Sequence, residues 1–197
     1  MIKAIIFDWG GVISIHGKFT QYYQEYKDQL NVTEEKYVKV ATKYWNQVKI
    51  DEISCNSFWN NLGNDLNIDP KKLQKEIFEY YGFNEEVWNL IKDLKPNYHL
   101  ALLSNNMKEW FDKLDSQHNF TQIFDTLILS HDVKLAKPDE EIFLKAQNKL
   151  PFSPEECLFI DDQPRNITPA KKIGFNTILF TNANQLKEEL KKFNINV

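Results

Sequence analysis

The 197 residues are 42% hydrophobic and 14% aromatic, with a mean hydropathy of −0.52. That is apolar area for one core with a small insert, and too much for a disordered chain. A net charge of −4 and a pI of about 5.6 give no electrostatic footprint for nucleic acid or an anionic membrane surface.

The two cysteines, Cys55 and Cys157, stand far apart in no metal-binding spacing. With no charged leader and no long apolar span, this predicts reduced thiols and a cytoplasmic protein. Arg165 is the only arginine, which reads as a compositional bias toward lysine.

In chain order, Lys3–Phe7 is a β-branched-rich apolar run and predicts a strand buried on both faces. From residue 15 to about 85 no strand pattern occurs. Phe19, Tyr22, Tyr23, Tyr26 and Leu30 have helical spacing, as do Tyr37, Val40, Ala41, Tyr44 and Val48; Phe58 and Leu62 mark a third helix. Asp69-Pro70 is a cap followed by proline at the first helical position, leading into Leu73, Ile77 and Tyr81. Asn84 caps a helix carrying Val87, Leu90, Ile91 and Leu94, and Pro96-Asn97 returns the chain to a strand at Tyr98–Leu103.

Strands and helices then alternate. A helix with Met107, Trp110, Phe111 and Leu114 on one face precedes a strand at Thr126–Leu129. A helix with Pro138 at its first position, and Ile142, Phe143 and Ala146 on its apolar side, precedes a strand at Cys157–Ile160. A helix with Ile167 and Ala170 stops at Gly174, and Phe175–Phe180 is the last strand. The pattern predicts an α/β fold: a doubly wound parallel sheet built from residues 1–14 and 86–197, with an all-helical insert over 15–85.

In such a sheet, ligands bind beyond the carboxyl ends of the strands. Asp8, Trp9, Gly10 and Gly11 follow strand one; Ser104, Asn105 and Asn106 follow strand two. His131, Asp132 and Lys137 follow strand three, and Asp161, Asp162 and Asn166 follow strand four. Each has an ordinary explanation as a cap, a turn or a solvated charge. The adjacent carboxylates Asp161 and Asp162 are harder to dismiss, because their repulsion at a strand mouth invites a cation.

The segments "FDWGG", "LLSNN", "KLAKPDEEIF" and "FIDDQPRNI" occur in this order across nearly the whole chain. On them the chain resembles the haloacid dehalogenase superfamily. It is most similar to the sugar-phosphate phosphatases and the epoxide hydrolase phosphatase domain that carry a double-acid fourth motif and a small helical cap. The resemblance implies a Rossmann-like core, Mg²⁺ as cofactor and a small phosphorylated metabolite as substrate, with oligomeric state open. It implies Asp8 as nucleophile, and Asp8, the Gly10 carbonyl and Asp162 as metal ligands, with Asp161 acting through water. Lys137 would neutralise charge, Ser104 and Asn105 would hydrogen-bond phosphoryl oxygens, and Asn166 would orient the metal loop.

Most phosphatases of that superfamily have an aspartate two residues after the nucleophile, which protonates the leaving oxygen. Here the position is Gly10, which moves no proton. Such help is worth roughly 10²–10⁴-fold in rate. The expectation is a phosphatase that relies on water, a cap residue or a good leaving group. A metal-independent dehalogenase, whose halide leaves without a proton, and a weak phosphate-ester-binding protein are the alternatives. Trp9 is expected to wall the pocket or to pack beneath the cap, and Arg165 to clamp substrate or to lie idle on its loop. His131 is expected at the surface, and His16 is a lesser candidate for facing the site.

Overall fold

The structure, a computed structural model, describes residues 1–196. Five parallel strands form one sheet in the order β3-β2-β1-β4-β5: β1 (Ala4–Phe7), β2 (His99–Ser104), β3 (Thr126–Leu129), β4 (Cys157–Asp161) and β5 (Asn176–Leu179). Side chains alternate across the pleat. Ala4, Ile6, Ala101, Leu103 and Phe159 face one layer, and Ile5, Phe7, Leu102, Leu158 and Ile160 face the other. With both faces covered by helices, the strands read as continuous apolar runs.

Four helices occupy the predicted insert: α1 (Phe19–Leu30), α2 (Glu34–Val48), α3 (Cys55–Leu66) and α4 (Pro70–Tyr81). Asp69 caps α4 by accepting from the Lys72 N–H at 2.7 Å, with Pro70 in the first turn as the sequence predicts. The chain returns through α5 (Glu85–Leu94), capped by Asn84. Beyond β2 lie α6 (Lys108–His118) and the single turns α7 (Phe120–Ile123) and α8 (Ser130–Val133). They are followed by α9 (Glu140–Lys149), α10 (Pro164–Ile173) and α11 (Ala183–Lys192).

Two differences from the sequence reading stand out. Helix α9 begins at Glu140, with Pro138 in the loop before it rather than at its first position. The Asn105 side chain holds that loop: it accepts from the Lys137 N–H and donates to the Lys137 carbonyl, both at 2.9 Å. Helix α11 was not anticipated. Asn182 caps it and Leu186 and Leu190 bury it.

Among the described residues, no helix is long and apolar enough to cross a membrane.

Candidate active site

Strand β1 is central, and the chain leaves it toward β2 on one side while β4 pairs on the other. The order therefore reverses at β1, the position where open parallel sheets form a crevice. Phe7 lies opposite Leu102 and Ile160, so Asp8 emerges level with Asp161. The Asp8 N–H donates to the Ile160 carbonyl at 2.9 Å, which fixes the backbone there.

Lys137 reaches this point from the loop before α9. Its Nζ lies 2.7 Å from Asp8 Oδ1 and 2.7 Å from Asp161 Oδ2. Asp8, Asp161 and Asp162 each offer a carboxylate oxygen within 4.8 Å of the others. Burial drives the Asp8 carboxyl upward, and Asp161 and Asp162 add repulsion. Lys137 opposes this only in part, so the Asp8 pKa is pushed up to about 8. Burial and the neighbouring Asp161 likewise raise Asp162. For Lys137, burial favours the neutral amine, but the attraction of Asp161 and Asp8 outweighs it and the ammonium is held above its ordinary range.

Both oxygens of Asp161 are engaged. Asn166 Nδ2 donates to each at 2.9 Å, and the Gln163 N–H donates to Oδ1 at 2.8 Å. Asp162 differs. Its Oδ2 accepts from Gln163 Nε2 and faces Lys18 Nζ at 3.7 Å, while its Oδ1 is buried without a partner. A buried, unpartnered carboxylate oxygen beside two more carboxylates is a donor set that suits a hard divalent cation. Ser104 Oγ, at the end of β2, is also buried and unpartnered.

The turn after Asp8 wraps closely around this cluster. Gly11 has a φ of 81°, and a Cβ there would meet Asp162 Oδ2 at 2.8 Å. A Cβ on Gly17 would meet the Gly10 carbonyl carbon at 2.5 Å, so the start of the helical insert lies directly on the Gly10 backbone. A Cβ on Gly10 itself would make only ordinary contact, 3.5 Å from Gly17 Cα.

The structure gives the remaining candidates their partners. The Asn105 side chain braces the backbone of Lys137 through its oxygen and one of its two amide N–H groups, and it also lines the small cavity over Gly10. His131 is buried rather than at the surface, with Nδ1 3.0 Å from the Asn106 carbonyl. His16 stacks on Tyr80 with ring centroids 4.2 Å apart. Trp9 packs 5.4 Å from Phe120 of α7 and 6.1 Å from Phe83, and it lines a small cavity over Gly10 and Asn105.

That cavity, about 30 Å³, is walled by Trp9, Trp45, Trp110 and Tyr81. Lys18, Gln163, Trp45, Tyr81 and Trp110 all adjoin the site and were missed from sequence. The aromatic ones lie at helical spacing, which signals core.

The chain is similar to several known proteins. A D-ribitol-5-phosphate phosphatase from Bacteroides thetaiotaomicron is 29% identical, covering 96% of this chain and 97% of its own. Flavin mononucleotide hydrolase 1 of Arabidopsis thaliana is 25% identical over 75% of this chain, which spans 58% of that protein's length. Among solved structures, a haloacid dehalogenase family enzyme from B. thetaiotaomicron superposes with a TM-score of 0.77 at 22% identity, covering 91% of this chain and 94% of that one. The same enzyme, solved with magnesium and inorganic phosphate, superposes with a TM-score of 0.70 at 20% identity, covering 92% and 95%. The model of the haloacid dehalogenase-like hydrolases matches residues 2–174, from the strand that delivers Asp8 to the glycine that ends α10, and the chain belongs to that family.

Proposed function

We propose that the chain is a Mg²⁺-dependent phosphomonoester hydrolase in which Asp8 is the nucleophile and residues 15–85 form a cap over the site. One observation carries this reading: a single buried ammonium, Lys137, stands among three carboxylates, and Asp162 keeps an oxygen without a partner. The negative charge left over calls for a further cation. Asp8, Asp162 and the Gly10 carbonyl would hold Mg²⁺, with Asp161 acting through water; when bound, the ion offsets charge on the phosphoryl oxygens.

The chain's own groups divide the remaining work. Asp8 attacks phosphorus, an aspartyl-phosphate forms and the bond to the leaving oxygen breaks; water then cleaves the aspartyl-phosphate and restores Asp8. Lys137, fixed on Asp161, neutralises the approach of two anions. Ser104 Oγ is free to donate to a phosphoryl oxygen. Asn105 holds the Lys137 loop and keeps its second amide N–H for a phosphoryl oxygen. Gly10 supplies no proton, so the leaving oxygen takes one from water. Small esters with good leaving groups, such as acyl or anomeric phosphates, suit this site best. Sugar phosphates are the expected class, in keeping with the ribitol phosphatase relative.

The absent acid also suits a dehalogenase, whose halide needs no proton, but the acidic cluster would be unnecessary there. A phosphate-ester panel with and without EDTA tests the reading. We expect turnover that EDTA abolishes and that Asp8→Asn removes with the fold retained. Activity unchanged in Asp8→Asn would overturn the mechanism, and haloacid turnover that survives EDTA would favour the dehalogenase.

A further inference from the structure

Beside the small cavity over Gly10 lies a larger one of about 340 Å³, between α1, α2, α4 and the start of α10. Gly17, Trp45 and Tyr81 line both, so the two adjoin, and the smaller forms a neck against the Gly10 backbone, two residues from Asp8. The volume is at the low end of the roughly 300–1,000 Å³ of small-molecule sites.

Its lining has a distinct chemistry. Phe19, Trp45 and Tyr81 supply apolar walls, and Lys18, Gln163 and Arg165 supply polar groups. Two cations and no carboxylate line it, in a chain where Asp and Glu number 28 against 24 Lys and Arg; Lys18 also faces Asp162 Oδ2 at 3.7 Å, so Arg165 is the cation without an anionic partner. The cleft between α3, α4 and α6 shows the usual mixture instead, with Lys71, Lys75 and Lys113 beside Glu79 and Glu109.

Arg165 joins no ion pair or side-chain hydrogen bond among the described residues. Its five donors therefore stand uncommitted beside the cavity. Lys49 is a third cation nearby: burial lowers its pKa, Asp139 opposes that, and Arg165 adds to the lowering. The reacting phosphate does not account for Arg165, which lines the outer cavity and not the neck.

We propose that this cavity holds the leaving-group half of the substrate, and that the substrates are phosphate monoesters carrying a second anionic group bound by Arg165 and Lys18. The intervening carbons lie against Trp45 and Tyr81. The guanidinium matches a carboxylate or a second phosphate through paired N–H donors. This rests on the hydrolase reading and narrows its substrate class.

Two matched pairs of esters test it on the full-length protein with Mg²⁺. The first, 6-phosphogluconate and sorbitol 6-phosphate, differs by a carboxylate in place of a hydroxymethyl group. The second, fructose 1,6-bisphosphate and fructose 6-phosphate, differs by a second phosphate. We expect kcat/KM to favour the more charged member by about ten-fold or more in at least one pair, and that pair identifies the anion. Arg165→Gln should collapse the ratio, mainly through KM, while Arg165→Lys restores part of it. A ratio near one in both pairs, or one that persists in both Arg165→Gln and Lys18→Gln, overturns the proposal.

Should the wild type turn over no ester, the hydrolase reading fails separately. Calorimetric binding of the same four compounds to Asp8→Asn then decides: a charge preference that Arg165→Gln removes supports the proposal, and equal or undetectable binding overturns it.

Discussion

At Asp8 burial, like charge and one ammonium act on a single carboxyl group, and burial is the largest of these. Unfolded, Asp8 titrates near 3.8; folded without metal it keeps its proton to about 8. The folded state therefore binds the extra proton between those values, and stability falls as pH rises through that window. In EDTA, the melting temperature should decline from pH 5 to pH 8, by roughly 2–4 °C per kcal/mol of linkage. Mg²⁺ or Asp8→Asn should flatten the slope; a slope unaffected by either would place its origin elsewhere. Two residues on, Gly10 leaves space for a Cβ in ordinary contact with Gly17. Gly10→Asp should accordingly fold, and should raise kcat on esters with poor leaving groups by up to roughly 10²-fold. No gain on any ester would mean that the proton already has another source.

Among the elements, a polar joint between the helical insert and the sheet is instructive. Ser130 Oγ, after β3, donates to the Lys49 carbonyl at 2.5 Å and accepts from the Asn106 N–H at 3.0 Å. The adjacent Lys134–Asp51 pair is half exposed on both sides. Removing the hydroxyl leaves two backbone groups without it, at a cost of about 1–3 kcal/mol, whereas an exposed pair is worth about 0–1 kcal/mol. Differential scanning calorimetry should show a larger fall in melting temperature for Ser130→Ala than for Lys134→Ala.

The elements themselves were largely legible in the sequence, because amphipathic spacing and Asp69-Pro70 are local signals. Pro138 misled because its position is set by Asn105, 33 residues earlier in the chain, and no local pattern reports that. His131 misled for a similar reason: its partner is the Asn106 carbonyl across the β2–β3 edge.

For the whole molecule, the site lies between two layers and is nearly closed. Asp8 is 6% exposed, Lys137 3% and Ser104 0%. The neck above them has room for only a water or two at roughly 10–15 Å³ each. On the proposed function, a phosphate ester enters only if the helical insert moves away from the loops after β1 and β4. Hydrogen exchange should therefore be slower at residues 9–18 with Mg²⁺ and orthovanadate than in the free protein; equal rates would mean that the insert does not respond to an occupied site.

The residues at the strand ends could be read from sequence because topology alone brings them together. The walls from the insert could not, since Trp45 and Tyr81 become site residues only through the way helices pack on the core.

The double attachment of Lys137 has one more consequence. In the proposed cycle Asp8 alternates between a free carboxylate and an acyl phosphate, whose negative charge lies on the phosphoryl oxygens instead of on the carboxylate. A lysine paired with Asp8 alone would shift with that charge at every turnover. Asp161, whose oxygens are also held by Asn166 and the Gln163 N–H, gives Lys137 a permanent mooring. The first acid of the Asp161-Asp162 pair thus serves to keep the positive charge stationary while the chemistry beside it comes and goes.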